Sequence, residues 1–130
     1  MLKPAVEEAI SELRAHFQGP ALVVKEDSQG GAEVIIEDVP LAFPGHPYAQ
    51  ETTWVGFRIP FQFPYADIYP IFVRGDLKRH DGAALGNATS VTTFSGRETV
   101  QLSRSSKNRD PELETVVDKI EKVLTWLQQK

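Results

Sequence analysis

The stretch that decides the fold, residues 61–70, reads Phe61-Gln62-Phe63-Pro64-Tyr65-Ala66-Asp67-Ile68-Tyr69-Pro70. Before it, residues 53–59 alternate apolar and polar side chains, which predicts a strand with one buried face. After it, residues 71–73 are short and apolar, which predicts the next strand. Because proline cannot donate a ladder hydrogen bond, residues 61–70 connect the two strands rather than extend either of them. We expect most aromatic side chains in this connection to be buried.

Two further strands and a helix are predicted nearer the N-terminus. Residues 21–25 and 33–37 are apolar and β-branched, and a polar turn with two glycines separates them, which is typical of a hairpin. Residues 4–17 predict a helix, because Pro4 suits the first helical position and apolar residues recur at helical spacing. The predicted core is a four-stranded antiparallel meander that packs against this N-terminal helix.

The second half of the chain is predicted to be less regular. Residues 75–90 are polar and contain three glycines, which indicates a long loop, and residues 99–102 indicate a short extended segment. Asp110 and Pro111 predict the start of a C-terminal helix, as N-cap and first helical residue. The apolar stripe of that helix consists of Leu113, Val116, Val117, Ile120, Leu124 and Leu127. The sequence therefore predicts one α+β domain that spans residues 1–130.

The composition limits the classes of function. The net charge is −4, so we expect a protein partner and no nucleic acid. There is no cysteine, which excludes thiol catalysis, disulfides and thiolate metal sites. No apolar run approaches the roughly 20 residues of a membrane span, and the N-terminus lacks a signal-peptide pattern, so we expect a cytoplasmic protein without a membrane partner. The histidines do not show metal-ligand spacing and no phosphate-binding loop occurs, so we expect no metal and no cofactor.

The order of the predicted elements resembles the ubiquitin-conjugating-enzyme family, especially its bacterial branches. Two stretches carry the resemblance: Tyr69-Pro70, and residues 96–102, which are similar to the family's Gly-x-x-Cys-Leu segment. The resemblance implies the fold of that family, with a long loop of the active-site type between the meander and the C-terminal helix. It also implies two partners in a bacterial conjugation pathway, a ubiquitin-like modifier and the adenylating enzyme that activates it.

The chain departs from the family in the residues that carry the chemistry. Gln101 stands where the family has its cysteine, and a glutamine amide cannot act as the acyl-carrying nucleophile. Residues 91–94 stand where the family has His-Pro-Asn, so the asparagine that helps to hold the oxyanion is missing. The resemblance is therefore to a branch of the family that lacks the cysteine.

Covalent chemistry on a serine is the first functional hypothesis. Ser103 and Ser105 lie just beyond the cysteine position, and a serine can carry a modifier as an oxyester once a base takes its proton. The candidate base is His80, beside Asp81, which requires the long loop to fold over the site. Under this hypothesis the chain is a transferase. The alternative for residues 103–109 is a solvated basic loop without a catalytic role.

Binding without catalysis is the second hypothesis. Arg104 and Arg109 can hold an acidic surface or a C-terminal carboxylate through charge-assisted hydrogen bonds. Gln101 and Tyr69 border the same predicted site. Asp67 is interpreted as a cap of its turn rather than as a catalytic carboxylate. The chain would then be an adaptor that docks a modifier or an activating enzyme. A third possibility is an α+β domain of unrelated function, since a fold does not fix a function.

Overall fold

The structure is a computed structural model that describes residues 2–18, 21–41, 48–82, 85, 89–103 and 115–128. These residues form two α-helices and six β-strands, so the α+β class predicted from the sequence is confirmed. In chain order the elements are α1 (Pro4–His16), β1 (Leu22–Glu26), β2 (Ala32–Pro40), β3 (Thr52–Ile59), β4 (Ile71–Arg74), β5 (Thr89–Phe94), β6 (Arg97–Leu102) and α2 (Val116–Gln128).

The strands form one antiparallel sheet in the order β1-β2-β3-β4-β6-β5. Strands β1 to β4 are the predicted meander, but the prediction of four strands is wrong. Strands β5 and β6 form a hairpin where the sequence pattern predicted the end of a loop and a short extended segment. The residues on both sides of the turn are rich in threonine and valine, and the two turn residues, Ser95 and Gly96, both have positive φ (53° and 77°). Such a two-residue turn matches the twist of antiparallel strands. Because β6 pairs with β4, strand β5 becomes an edge of the sheet.

Both helices pack on the same face of this sheet. On α1 the apolar residues recur every three or four positions, and those that face the sheet are Val6, Ala9, Ile10 and Leu13. Alternate residues of the strands meet them, namely Val34, Ile36, Val55, Phe57, Ile59, Ile71, Val73, Val100 and Leu102. From α2 come Val116, Ile120, Val123, Leu124 and Leu127, so one continuous core joins helices and sheet.

A reciprocal pair of side-chain caps starts α2 at Val116. The amide of Asp118 donates to the Thr115 hydroxyl, and the amide of Thr115 donates to the Asp118 carboxylate, each at 3.1 Å. This is a capping box with aspartate in the usual position of glutamate. The helix therefore begins later than Asp110 and Pro111 predicted, and those two residues lie outside the described part of the chain.

The tip of the β5–β6 hairpin folds across the opposite face of the sheet. The ring of Phe94 stacks on Phe72 with centroids 4.4 Å apart, and a Cβ at Gly56 would lie only 2.8 Å from the Phe94 ring. Both Nη atoms of Arg97 donate to the Glu37 carboxylate, at 2.9 and 2.8 Å. Since β2 and β3 are not neighbours of the hairpin in the sheet, these contacts require its tip to curl back over them. We call this arrangement the hairpin latch.

Candidate functional site

The end of β6 lies beside the Tyr69-Pro70 connection. Leu102 pairs with Ile71 in antiparallel register. Ser103, which follows Leu102, therefore lies beside Pro70, which precedes Ile71. Gln101 is half-buried and pairs with residues on both neighbouring strands, and its amide Nε2 lies 3.3 Å from the Ser103 Oγ, close enough to donate a hydrogen bond. Two of the predicted site residues, Gln101 and Ser103, thus form one small polar site at the end of the sheet.

The hydrogen bond from Gln101 orients Ser103 but does not activate it. An amide N–H donates to the hydroxyl oxygen, whereas a nucleophilic serine needs an acceptor that takes its proton. Within the described residues, the side chain of Gln101 is the one hydrogen-bond partner of the Ser103 hydroxyl. The site as built can therefore position a polar group of a partner, and an acyl transfer to Ser103 would need a base from elsewhere.

The structure does not bring His80 to this site. His80 directly follows Arg79, whose backbone pairs with that of Tyr48 in an isolated antiparallel β-bridge. The Tyr48 hydroxyl in turn donates to the carbonyl of Leu127 in the last turn of α2. The Tyr69 side of the sheet, in contrast, contacts α2 at Lys119. Lys119 and Leu127 are eight positions apart in α2, which places the two regions about 12 Å apart along the helix.

Asp81, the residue predicted to accompany His80, pairs with a neighbouring arginine. The guanidinium of Arg79 donates to the Asp81 carboxylate at 3.2 and 3.4 Å. Both His80 and Asp81 are exposed, in the turn beyond the Arg74 end of β4. The predicted grouping of Ser103, His80 and Asp81 therefore has its members at opposite ends of β4.

A buried ion pair, which the sequence analysis did not identify, fixes the connection between β3 and β4. The Lys119 Nζ lies 3.1 Å from Oδ2 of Asp67, and Lys119 as a whole is only 2% exposed. Asp67 thus ties residues 61–70 to α2. The signal in the sequence is the position of Lys119, since it falls on the buried stripe of the helix between Val116 and Val123. A lysine on such a stripe requires a buried anionic partner.

The aromatic residues of the connection face outward more than the sequence predicted. Phe61, Tyr65 and Tyr69 are exposed, Tyr65 to 79%, whereas Phe63 packs against the core. Burial of most of these rings was therefore a wrong expectation. The residue that the connection buries in the core is instead Ile68, with 1% exposure. Exposed aromatic side chains are enriched at protein-binding surfaces.

The remaining predicted site residues lie outside the described part of the chain. These are Ser105, Arg104 and Arg109. They follow Ser103 directly in the sequence.

A separate cavity of about 450 Å³ lies by the hairpin latch, towards the Arg74 end of β4. Four carboxylates line it: Glu37, Asp38, Asp76 and Glu98. Arg97 binds Glu37 and Arg74 binds Asp76 through paired hydrogen bonds, which leaves an excess of negative charge on the wall. Such a wall disfavours phosphate-bearing ligands. Across the described ranges, no three histidine or acidic residues group closely enough to hold a metal ion.

The latch predicts a stability that depends on pH. Hydrogen bonds from Arg97 hold the pKa of Glu37 below its ordinary value of 4.5. A carboxyl group whose pKa is lower in the folded chain than in the unfolded chain stabilises the fold when the pH is above its unfolded-state pKa. This contribution is lost as the pH falls through its folded-state pKa. We expect Glu37→Gln to lower the free energy of unfolding by about 1 kcal/mol at neutral pH, a modest effect because both side chains are partly exposed. In strong acid, wild type and variant should converge.

Urea unfolding at neutral and acid pH measures this difference. Asp38→Asn is the matched control, because Asp38 lines the same cavity without an ion pair in the described residues. It should change the free energy of unfolding at neutral pH by less than about 0.5 kcal/mol. A Glu37→Gln deficit of the same size at every pH would contradict the argument.

No protein-family model, curated protein or solved structure matches this chain. Within the described residues, neither helix has the length and apolar character needed to cross a membrane.

Proposed function

We propose that this chain is a ubiquitin-conjugating-enzyme-like component of a bacterial ubiquitin-like conjugation pathway, and that it positions the modifier without a cysteine. The observation that carries the proposal is the site at the end of β6, where Gln101 and Ser103 are hydrogen bonded beside Tyr69-Pro70. The two stretches that resemble the family are far apart in the sequence, and the strand register makes them neighbours.

The surroundings of the site suit a protein partner. The exposed rings of Tyr65 and Tyr69 stand on the connection that Asp67 anchors to α2. Because the anchor is buried, the connection is held in one place, and an ordered surface loses less entropy when a partner binds. The partners that fit the proposal are a ubiquitin-like modifier and the adenylating enzyme that activates it.

The geometry favours positioning over covalent transfer. An oxyester on Ser103 would require the hydroxyl to lose its proton as the activated carbonyl is attacked. His80 lies towards the other end of α2, and Gln101 supplies a donor rather than an acceptor. Covalent transfer to Ser103 remains the second candidate function, in which an activating enzyme or another partner provides the base.

Intact-mass analysis separates the two candidates. The chain is mixed with a ubiquitin-like modifier, its adenylating enzyme and ATP, and the products are examined by mass and by size-exclusion chromatography. We expect a non-covalent complex and no mass increase, in the wild type and in Ser103→Ala alike. Ser90→Ala is the matched control, because Ser90 faces Gln101 from the neighbouring strand.

Two outcomes would change the conclusion. A hydroxylamine-sensitive adduct that Ser103→Ala abolishes and Ser90→Ala retains would establish Ser103 as an acyl carrier. The absence of both complex and adduct would reject the conjugation pathway itself and leave an α+β domain of another function.

A further inference from the structure

The two edges of the sheet differ in how they are protected. An edge strand exposes unpaired backbone groups, and proteins usually guard such strands with charged residues, proline or a bulge. Strand β1 carries Lys25 and Glu26. Strand β5 reads Thr89-Ser90-Val91-Thr92-Thr93-Phe94, without a charge or a proline, and its register with β6 is continuous.

The hairpin geometry identifies which groups of β5 point outward. In a hairpin with a two-residue turn, the residues that flank the turn share two hydrogen bonds, so Phe94 bonds with Arg97 and the pattern alternates from there. Val91 and Thr93 therefore direct their N–H and C=O groups away from β6. In the part of the chain that the structure describes, β5 pairs with β6 alone. Val91 is 76% exposed, so this edge is open to solvent.

We propose that β5 is an interface between two copies of this chain, which pair antiparallel about Thr92 and join their sheets into one. In this register Val91 lies opposite Thr93 of the second copy, and Thr93 lies opposite its Val91. The Val91 and Thr93 residues of the two copies thereby bond to one another across the interface. The pairs combine β-branched side chains, which stabilise cross-strand contacts.

A second copy suits this edge because the strand is complementary to itself. A two-fold axis through Thr92 places each residue near the middle of β5 within a few residues of its own copy on the second chain. A charge in this part of β5 would therefore lie close to the same charge on the partner. The strand has no charge, and Thr92 meets only the Thr92 of the second copy. The interface does not depend on the proposed function. It also brings the second copy's Phe94 beside Ser90, which pairs with Gln101 and so borders the candidate site.

The interface is small, so the dimer should be reversible. Six strand residues span about 20 Å, and their edge buries less surface than the roughly 1,200 Å² of a standard stable interface. Sedimentation velocity over about 10 µM to 1 mM, a range that covers weak complexes, should show the mass rise from 14.5 kDa towards twice that value.

Matched lysine substitutions at the two edges test the location of the interface. Val91→Lys places a charge at the centre of the paired strands and should keep the chain monomeric at every concentration. Val23→Lys is the control, because Val23 is also exposed and lies on β1, the opposite edge. Circular dichroism checks that both variants fold. A wild type that stays monomeric, or equal dissociation by the two substitutions, would overturn the proposal.

Cross-linking tests the register, and the chain suits it because it contains no cysteine. Residues opposite each other between hydrogen-bonded pairs have Cα atoms about 4.5 Å apart, within the range of a disulfide. Under mild oxidation Thr92→Cys should form a disulfide-linked dimer at least about tenfold faster than Val23→Cys, since only the first thiol is held next to its copy. Equal rates would refute pairing about Thr92.

Discussion

Lys119→Ala is expected to lower the free energy of unfolding by about 3 kcal/mol, because it leaves the partly buried carboxylate of Asp67 without its cation. The Lys119 side chain is 3% exposed and that of Asp67 is 21% exposed, so water compensates the aspartate only in part. Urea unfolding measures the loss. The substitution should also release residues 61–70, which hydrogen exchange at Ile68 and Tyr69 would detect as reduced protection.

Two further variants separate the ion pair from the helix itself. Lys122→Ala removes an exposed lysine from the same helix and should cost less than about 0.5 kcal/mol. Combining Lys119→Met with Asp67→Asn removes both charges at once and should recover most of the stability lost on Lys119→Ala. Lys119→Ala and Lys122→Ala variants of equal stability would show that the pair does not hold the connection.

Phe94→Ala is expected to lower the free energy of unfolding by a similar amount, about 3 kcal/mol, because it removes a buried ring from the hairpin latch. The ring is 1% exposed, stacks on Phe72, and carries the guanidinium of Arg58 at 4.8 Å from its centroid. Its loss leaves Arg97 and Glu37 as the main tie between the tip and β2. Thermal unfolding and near-ultraviolet circular dichroism measure the stability and the packing of the aromatic rings.

Gly56→Ala tests the packing of the Phe94 ring from the strand β3 on which the ring lies. A Cβ at residue 56 would meet the Phe94 ring at 2.8 Å, so the ring must move and the variant should be destabilised. Val91→Ala, on the same strand as Phe94 but exposed, is the control and should have little effect on unfolding. If Val91→Ala were as destabilising as Phe94→Ala, the loss of stability would come from substitution on strand β5 in general and not from the contacts of the hairpin latch.

Local periodicity accounts for the parts of the fold that the sequence predicted. The alternation along β3 and the helical spacing of Val6, Ile10 and Leu13 depend on neighbouring residues, so both elements could be placed before their partners were known. The β5–β6 hairpin also has a local signal, the Ser95-Gly96 turn between β-branched runs. It was missed because the comparison with the conjugating family assigned residues 91–94 to a different motif.

The contacts that hold the connection of residues 61–70 and the hairpin latch are not local. Asp67 and Lys119 are 52 residues apart, and Glu37 and Arg97 are 60 apart. The sequence provides the residue types for such pairs but not the register that joins them. The same limit explains the prediction of His80 as a base for Ser103, since short sequence distance suggested a proximity that the sheet does not provide.

The pairing of Asp67 with Lys119 sets an order of events during synthesis. Residues 61–70 are synthesised before Lys119, because translation proceeds from the N-terminus. Until α2 docks, the connection lacks the tie that Lys119 makes to Asp67. The surface that carries Tyr65 and Tyr69 is therefore completed only after the C-terminal helix docks.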